Sequence, residues 1–335
     1  MKTYLCSHFE TGSPFYFLDS NAFIELGRFY QSGRCSSQEI CDSLKALIIN
    51  AQRTGGKFEI DLVANELSFD YGTNKLNIEA RQRTVQAVEN LIEKIPIEEL
   101  DTFTRPTNKQ FVKERNQCCN YKTIFDCNFP QVFLNDETMC DLFYISYLYR
   151  LKIQELYQAK HLTPMDRIKQ LFYYMTDTIE LFGDIEFQVG KMLFIGDRST
   201  QFAKSLLKVD KPINVALINN SVADIVLFRI VRMMGAKVTC PVYFVTSDKG
   251  LQSIFETNTD LLTSNQLIPS LCEDSSDVRP TLRSDWDLFY EQAIYPTMYR
   301  NFITSFLCKK DMAVTMDRVK KQIKKLEATV IIDQL

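Results

Sequence analysis

Asp19, Glu66, Asp224 and Asp248 are acids set among apolar neighbours, in FLDSN, LVANELSF, SVADIVLFRIV and FVTSD. Carboxylates gathered in a partly dry crevice repel one another and bind protons tightly unless a cation neutralises them. Oxygen-only ligands of this kind suit magnesium or manganese, one or two ions, held by a few carboxylates together with substrate phosphate. Such an ion activates water near neutral pH and stabilises the leaving oxygen of a phosphodiester. Histidine is then unnecessary. The chain has two, His8 and His161, and neither stands in a setting that fits a serine triad.

Two strand ends and two helices must bring these acids together. Residues 15–18, FYFL, lie between Pro14 and Asp19 and suit a buried strand of a parallel sheet. A helix begins at Ser20. A second, capped by Ser36 or Ser37, runs to about Arg53 with Ile40, Leu44, Leu47 and Ile48 on one face and stops at Gly55-Gly56. A third, in FEIDLVANELSFDYG, carries Glu66. Helical periodicity dominates residues 75–208, most clearly over 75–95, 136–159 and 164–182. The α/β pattern returns at residue 213, where INVALINN ends in a polar turn and Ser221 caps a helix that reaches Gly235. VYFVTSD is a second buried strand, followed by a helix from Lys249 to Phe255 and by NQLIPSL as a last strand. Helices over 284–307 and 314–328 follow, with Trp286 anchoring the pair.

The expected fold class is therefore α/β: a three-layer α/β/α core with a parallel sheet, a large helical insertion and C-terminal helices. The expected core is discontinuous, residues 1–74 and 209–275, with 75–208 as the insertion and 276–335 as the extension. In open sheets of this class ligands collect outside the carboxyl ends of the strands, where Asp19 and Asp248 stand.

Composition narrows the partners. Of 335 residues, 45% are hydrophobic and 24% charged, enough to bury a substantial core. The formal net charge of -3 means that affinity for a polyanion must come from a local basic patch or from bound metal. The ten cysteines lack the spacing of a disulfide framework. Cys118, Cys119, Cys127 and Cys140 match no common zinc site and read as free thiols. No apolar run reaches membrane-spanning length, and MKTYLCSHFETGSP has no signal core, so the expected location is cytoplasmic and no membrane partner is expected.

Asp19 and Asn21 in FLDSNAFI, Glu66 in VANEL, Asp224 in VADIVLFRIVRMMG and Asp248 in VYFVTSDKGL together resemble the ordered acidic signature of PIN-domain nucleases. The resemblance covers roughly residues 13–70 and 212–270 and implies a metal-dependent endonuclease acting mostly on RNA, with DNA as the alternative substrate. It implies that Asp19, Glu66, Asp224 and Asp248 surround one or two Mg2+ or Mn2+ ions and act through metal-activated water. Ser20, Asn21, Thr246 and Ser247 would position the phosphate. It further implies 5′-phosphate and 3′-hydroxyl products, and a regulatory protein partner, as in toxin-antitoxin or phage-defence systems, or a homo-oligomer. The step of 158 positions from Glu66 to Asp224 exceeds the spacing of compact members; Asp61 and Asp70 stay open as the second acid.

Each acid also has a plainer reading: Asp224 in a capping box with Ser221, Asp248 as the cap of the helix at Lys249, and Asp19 as the holder of its turn. The same residues then describe a silent PIN-like module that binds nucleic acid or assembles with partners. Candidate nucleic-acid contacts are Arg229, Arg232, Lys249, Lys320, Lys321 and Lys324. A second basic cluster is Arg105, Lys109, Lys113, Arg115 and Lys122.

Overall fold

A computed structural model of the chain describes residues 1–7, 9–70, 75–91, 95–100, 123–124, 137–257, 275–300 and 311–331. The first elements are strands β1 (Lys2–Leu5) and β2 (Phe15–Leu18), helices α1 (Ser20–Ser32) and α2 (Gln38–Thr54), strand β3 (Lys57–Glu59) and helix α3 (Asp61–Ser68). A short antiparallel pair, β4 (Phe69–Asp70) and β5 (Lys75–Leu76), leads into α4 (Ile78–Glu89). Helices α5 (Glu137–Gln158), α6 (Pro164–Tyr173), α7 (Asp184–Phe194), α8 (Thr200–Leu207) and α9 (Val215–Lys237) come next. Strand β6 (Val242–Thr246), α10 (Lys249–Thr257), α11 (Arg283–Phe289) and α12 (Met312–Val330) complete the described strands and α-helices.

They form two compact units. The first comprises Met1–Asn120, Gln131–Phe133 and Leu227–Thr263, and the second Tyr121–Pro130, Leu134–Val226 and Ser264–Leu335. Helix α9 gives its first part to the second unit and the remainder to the first.

The first unit is mixed α/β around a four-stranded sheet in the order β1-β6-β2-β3. Strands β6, β2 and β3 are parallel and β1 runs antiparallel on the edge beside β6. Tyr16 pairs in register with Phe58 on one side and Tyr243 on the other. The three rings stack across one face of the sheet, 5.0 Å and 5.3 Å apart. Cross-strand aromatic neighbours of this kind are the unit of sheet stabilisation. The Tyr16 hydroxyl accepts from Asn50 Nδ2 at 2.8 Å, which ties α2 to that face. Helix α2 forms where the spacing predicts. Ser37 Oγ accepts from the Ile40 N–H at 3.2 Å, Leu44, Leu47 and Ile48 are buried, and Gly55 ends the helix at φ 65. On α3 and α4, Arg81 bonds Asn65 Oδ1 at 2.7 Å and pairs with Asp61.

The second unit is helical among the described residues. Phe172, Phe182, Phe187, Trp286 and Phe289 form an aromatic cluster with centroids 5.1 to 6.4 Å apart, and Trp286 is buried as expected. Helix α6 starts on a capping box between Thr163 and Asp166 with Pro164 in the first turn. Past Tyr173 it widens into a π-helical turn, Tyr174–Ile179. Arg150 of α5 is fully buried. It donates to the Leu207 carbonyl, to Gln154 Oε1 at 2.9 Å and to Ser221 Oγ at 3.2 Å. Leu207 ends α8, so the guanidinium sits at the negative end of a helix dipole. Asp277 holds the other end of α8: it accepts from the Arg198 N–H at 3.1 Å, the Ser199 N–H at 3.3 Å and the Ser199 hydroxyl. Asp277→Ala is expected to cost about 1–2 kcal/mol, read as a lower urea midpoint with an unchanged slope. An unchanged midpoint would deny Asp277 that role.

Three expectations are corrected. INVALINN is neither strand nor turn: α9 runs unbroken from Val215, because Asn214 Oδ1 accepts from the Leu217 N–H at 2.8 Å and caps it there. Ile218, Val222, Ile225 and Val226 then continue one buried face. Ser221 lies inside the helix, its hydroxyl bonded to the Ile218 carbonyl at 2.9 Å, so the Ser221–Asp224 capping box does not exist. Gly235 is not the stop either, since α9 continues to Lys237. NQLIPSL, His8, Cys118, Cys119, Cys127 and the cluster from Arg105 to Lys122 lie outside the described residues.

Candidate functional site

Strands β3, β2 and β6 are parallel, so their carboxyl ends share one edge of the sheet. The Leu18↔Val245 register places Asp19 beside Thr246, and the Asp19 N–H extends the ladder to the Val245 carbonyl at 3.0 Å. Asp19 is fully buried. Its Oδ1 accepts from the Ala22 N–H at 2.5 Å, capping α1, and its Oδ2 accepts from the Thr246 hydroxyl. Thr246 Oγ1 in turn accepts from the Asp248 N–H at 2.9 Å. Asp248 Oδ1 accepts from the Gly250 and Leu251 N–H groups at 2.7 and 3.0 Å and caps α10. One hydroxyl therefore bonds the Asp19 carboxylate and the Asp248 backbone, at the ends of two neighbouring strands. Gln252 Nε2 donates to the Thr246 carbonyl at 3.2 Å and fixes α10 against the strand end.

Burial pushes the Asp19 acid up to about 6, and the Asp248 carboxylate adds to the shift; hydrogen bonds from Thr246 and the Ala22 N–H oppose it. The third parallel strand also ends in an acid. Glu59, in register with Phe17, is half-buried, and its Oε1 accepts from the Asp61 N–H at 3.3 Å. Burial, followed by the Asp61 carboxylate, raises its pKa. Sequence reading passed over Glu59. Its signal was FEID, an acid between Phe58 and Ile60 just before a helix.

The structure brings together Asp19, Thr246 and Asp248. Thr246 is fully buried, with its hydroxyl committed to the Asp19 carboxylate and the Asp248 N–H. Ser20 and Ser247 are half-buried, and Asn21 and Lys249 are exposed at the starts of α1 and α10. Glu66 is half-buried on α3, which packs on α1. Asp61 is exposed and paired with Arg81, and Asp70 stands opposite Lys75 in the β4–β5 pair. Asp224 is half-buried on the part of α9 that belongs to the second unit, and Arg229 and Arg232 are half-buried on the part that belongs to the first.

Among the described residues no three acidic, histidine or cysteine side chains lie together as a metal cage. Magnesium does not need one, because it keeps several waters and binds through one or two carboxylates. Asp19 and Asp248 offer carboxylate oxygens, the donor type such an ion takes. Among the described residues no helix is long and apolar enough to cross a membrane. Comparison with protein-family models, curated proteins and solved structures finds no match to this chain.

Proposed function

We propose that the chain is a PIN-like, Mg2+- or Mn2+-dependent nuclease acting on RNA, with Asp19 and Asp248 as the carboxylates that would hold the ion. One observation carries the reading: a buried carboxylate of raised pKa, held by a Thr246 hydroxyl that also accepts from the backbone N–H of Asp248, the acid at the end of the neighbouring parallel strand. The bound ion would supply positive charge to the phosphate and to the leaving oxygen. Thr246 orients the Asp19 carboxylate and fixes the backbone of Asp248. The starts of α1 and α10 lie at this edge, where helix N-termini favour anions, and Ser20, Asn21, Ser247 and Lys249 stand there to contact the phosphodiester. Glu66 and Glu59 are further acids of the same unit. The three-layer core and the cytoplasmic location belong to this proposal as well.

A silent nucleic-acid-binding module is the second reading, and one observation favours it: both Asp19 oxygens are already bonded within the fold. End-mapped cleavage of mixed RNA and DNA with Mn2+ separates the two. The nuclease reading expects cuts with 5′-phosphate ends, and a loss of about 100-fold or more in Asp248→Asn. Cleavage by Asp248→Asn at the parent rate would refute it, as would a parent chain that binds RNA without cutting.

A further inference from the structure

In the second unit, helix α11 passes at Phe289 into a π-helical turn, Tyr290–Ile294, and residues 295–300 are helical again. The Tyr295 N–H donates to the Tyr290 carbonyl, the i→i+5 bond of that turn. In an α-helix residues five apart lie about 140° apart around the axis. The wider turn brings them to one side, and the Tyr290 and Tyr295 rings stand 6.3 Å apart. Tyr299 follows one turn later, its ring 6.3 Å from that of Tyr295 and inclined to it by 16°. The core takes Trp286, Phe289, Ile294 and Met298 from this run and leaves Tyr295 and Tyr299 in solvent, 49% and 57% exposed.

Four-residue steps back from Tyr299 reach Tyr295, Glu291 and Asp287, and all four are exposed. Neighbours at that spacing share a helix face. Neither carboxylate has an ion-pair or hydrogen-bond partner among the described residues. The cations of the region are engaged: Arg283 donates to the Ser276 and Val278 carbonyls at 3.4 Å, Lys169 lies with its Nζ 5.6 Å over the Phe289 ring, and Arg300 has an interaction of its own. The face therefore offers stacked rings and free negative charge side by side.

We propose that this face docks an arginine-rich segment of another protein. A guanidinium lies flat on a tyrosine ring, and a carboxylate one turn away takes its N–H groups. Lysine satisfies the carboxylates but has no plane to stack. A polyanion would be repelled by Asp287 and Glu291, and the basic candidates Lys320, Lys321 and Lys324 are exposed on another helix, α12. A second copy of this chain fits less well, because adjacent arginines occur nowhere in its sequence. The inference stands apart from the nuclease reading.

The full chain is titrated into a fluorescein-labelled nona-arginine peptide, read by anisotropy across NaCl concentrations. Y295A/Y299A should weaken binding about tenfold, and Y295F/Y299F should bind like the parent because the rings remain. D287N/E291Q should weaken it about fivefold at low salt, with the difference closing as salt rises. E98Q/E99Q, at exposed acids of the first unit, should change nothing. Nona-lysine should bind less tightly than nona-arginine and ignore Y295A/Y299A. Circular dichroism checks that the variants are folded. Parent-like affinity for nona-arginine in folded Y295A/Y299A would overturn the proposal, and parent-like affinity at low salt in D287N/E291Q would do so even where the alanine variant fails to fold. A parent dimer that Y295A/Y299A dissolves would also overturn it, giving the face to a second copy. So would single-stranded RNA bound by the parent and released in that variant.

Discussion

Asp19→Asn is expected to make the first unit more stable at neutral pH while lowering metal-dependent cleavage by about 100-fold or more. In the folded chain the Asp19 carboxyl titrates near 6 instead of the usual 3.8. Between those values the folded state keeps a proton that the unfolded state has released, so parental stability falls as pH rises through the window. Above it, the buried charge costs about 3 kcal/mol. Asparagine keeps an oxygen for the Ala22 N–H and removes the charge. Its amide must donate toward Thr246 where the carboxylate accepted, which returns about 1 kcal/mol of the gain. A net gain of about 2 kcal/mol at neutral pH should remain, with the slope between pH 3.8 and about 6 reduced. Mn2+ should raise the melting temperature of the parent and leave that of the variant unmoved, because a ligand stabilises only the state that binds it. Denaturant titrations across pH make the check. A variant less stable than the parent at neutral pH would show that Asp19 carries no unmet charge, and the case for a cation would lose its basis.

Gly235→Ala should destabilise the first unit by at least about 3 kcal/mol. Glycine in a helix interior is normally worse than alanine by about 1 kcal/mol, so the sign alone is diagnostic. A Cβ on Gly235 would lie 1.7 Å from the Cys6 carbonyl oxygen and 2.7 Å from its carbon. Neither atom belongs to a side chain that can rotate away. Cys6 cannot retreat cheaply, because its N–H donates to the Val242 carbonyl at 2.7 Å and Ser7 Oγ accepts from the Val242 N–H at 3.1 Å. Moving β1 aside would break its pairing with β6. Urea unfolding reads the effect, and a variant as stable as its parent would refute the close approach of α9 to β1.

The parts of this fold that were legible in the sequence are those governed by local chemistry. FYFL and VYFVT are unbroken apolar runs stopped by acids, and they are the two central strands. Helix α2 announced itself through Ser37, a buried stripe and Gly55. Strands β1 and β3 did not, because KTYL and KFE are half-exposed edge segments whose strand character comes from neighbours distant in sequence. INVALINN misled because Asn219, Asn220 and Ser221 look like turn residues, while the cap that mattered was Asn214. At the site, the capping roles of Asp19 and Asp248 could be read from position. The hydroxyl of Thr246 that joins them could not, since it depends on the register of two strands more than 200 residues apart.

All three parallel strands end in an acid that satisfies the first turn of the next helix: Glu59 for α3, Asp19 for α1 and Asp248 for α10. Selection for a stable fold is by itself enough to retain these acids through descent. A lineage that gave up cleavage would keep Asp19 and Asp248 as helix caps. Its drift would begin instead at Asn21 and Lys249, exposed positions with no such duty.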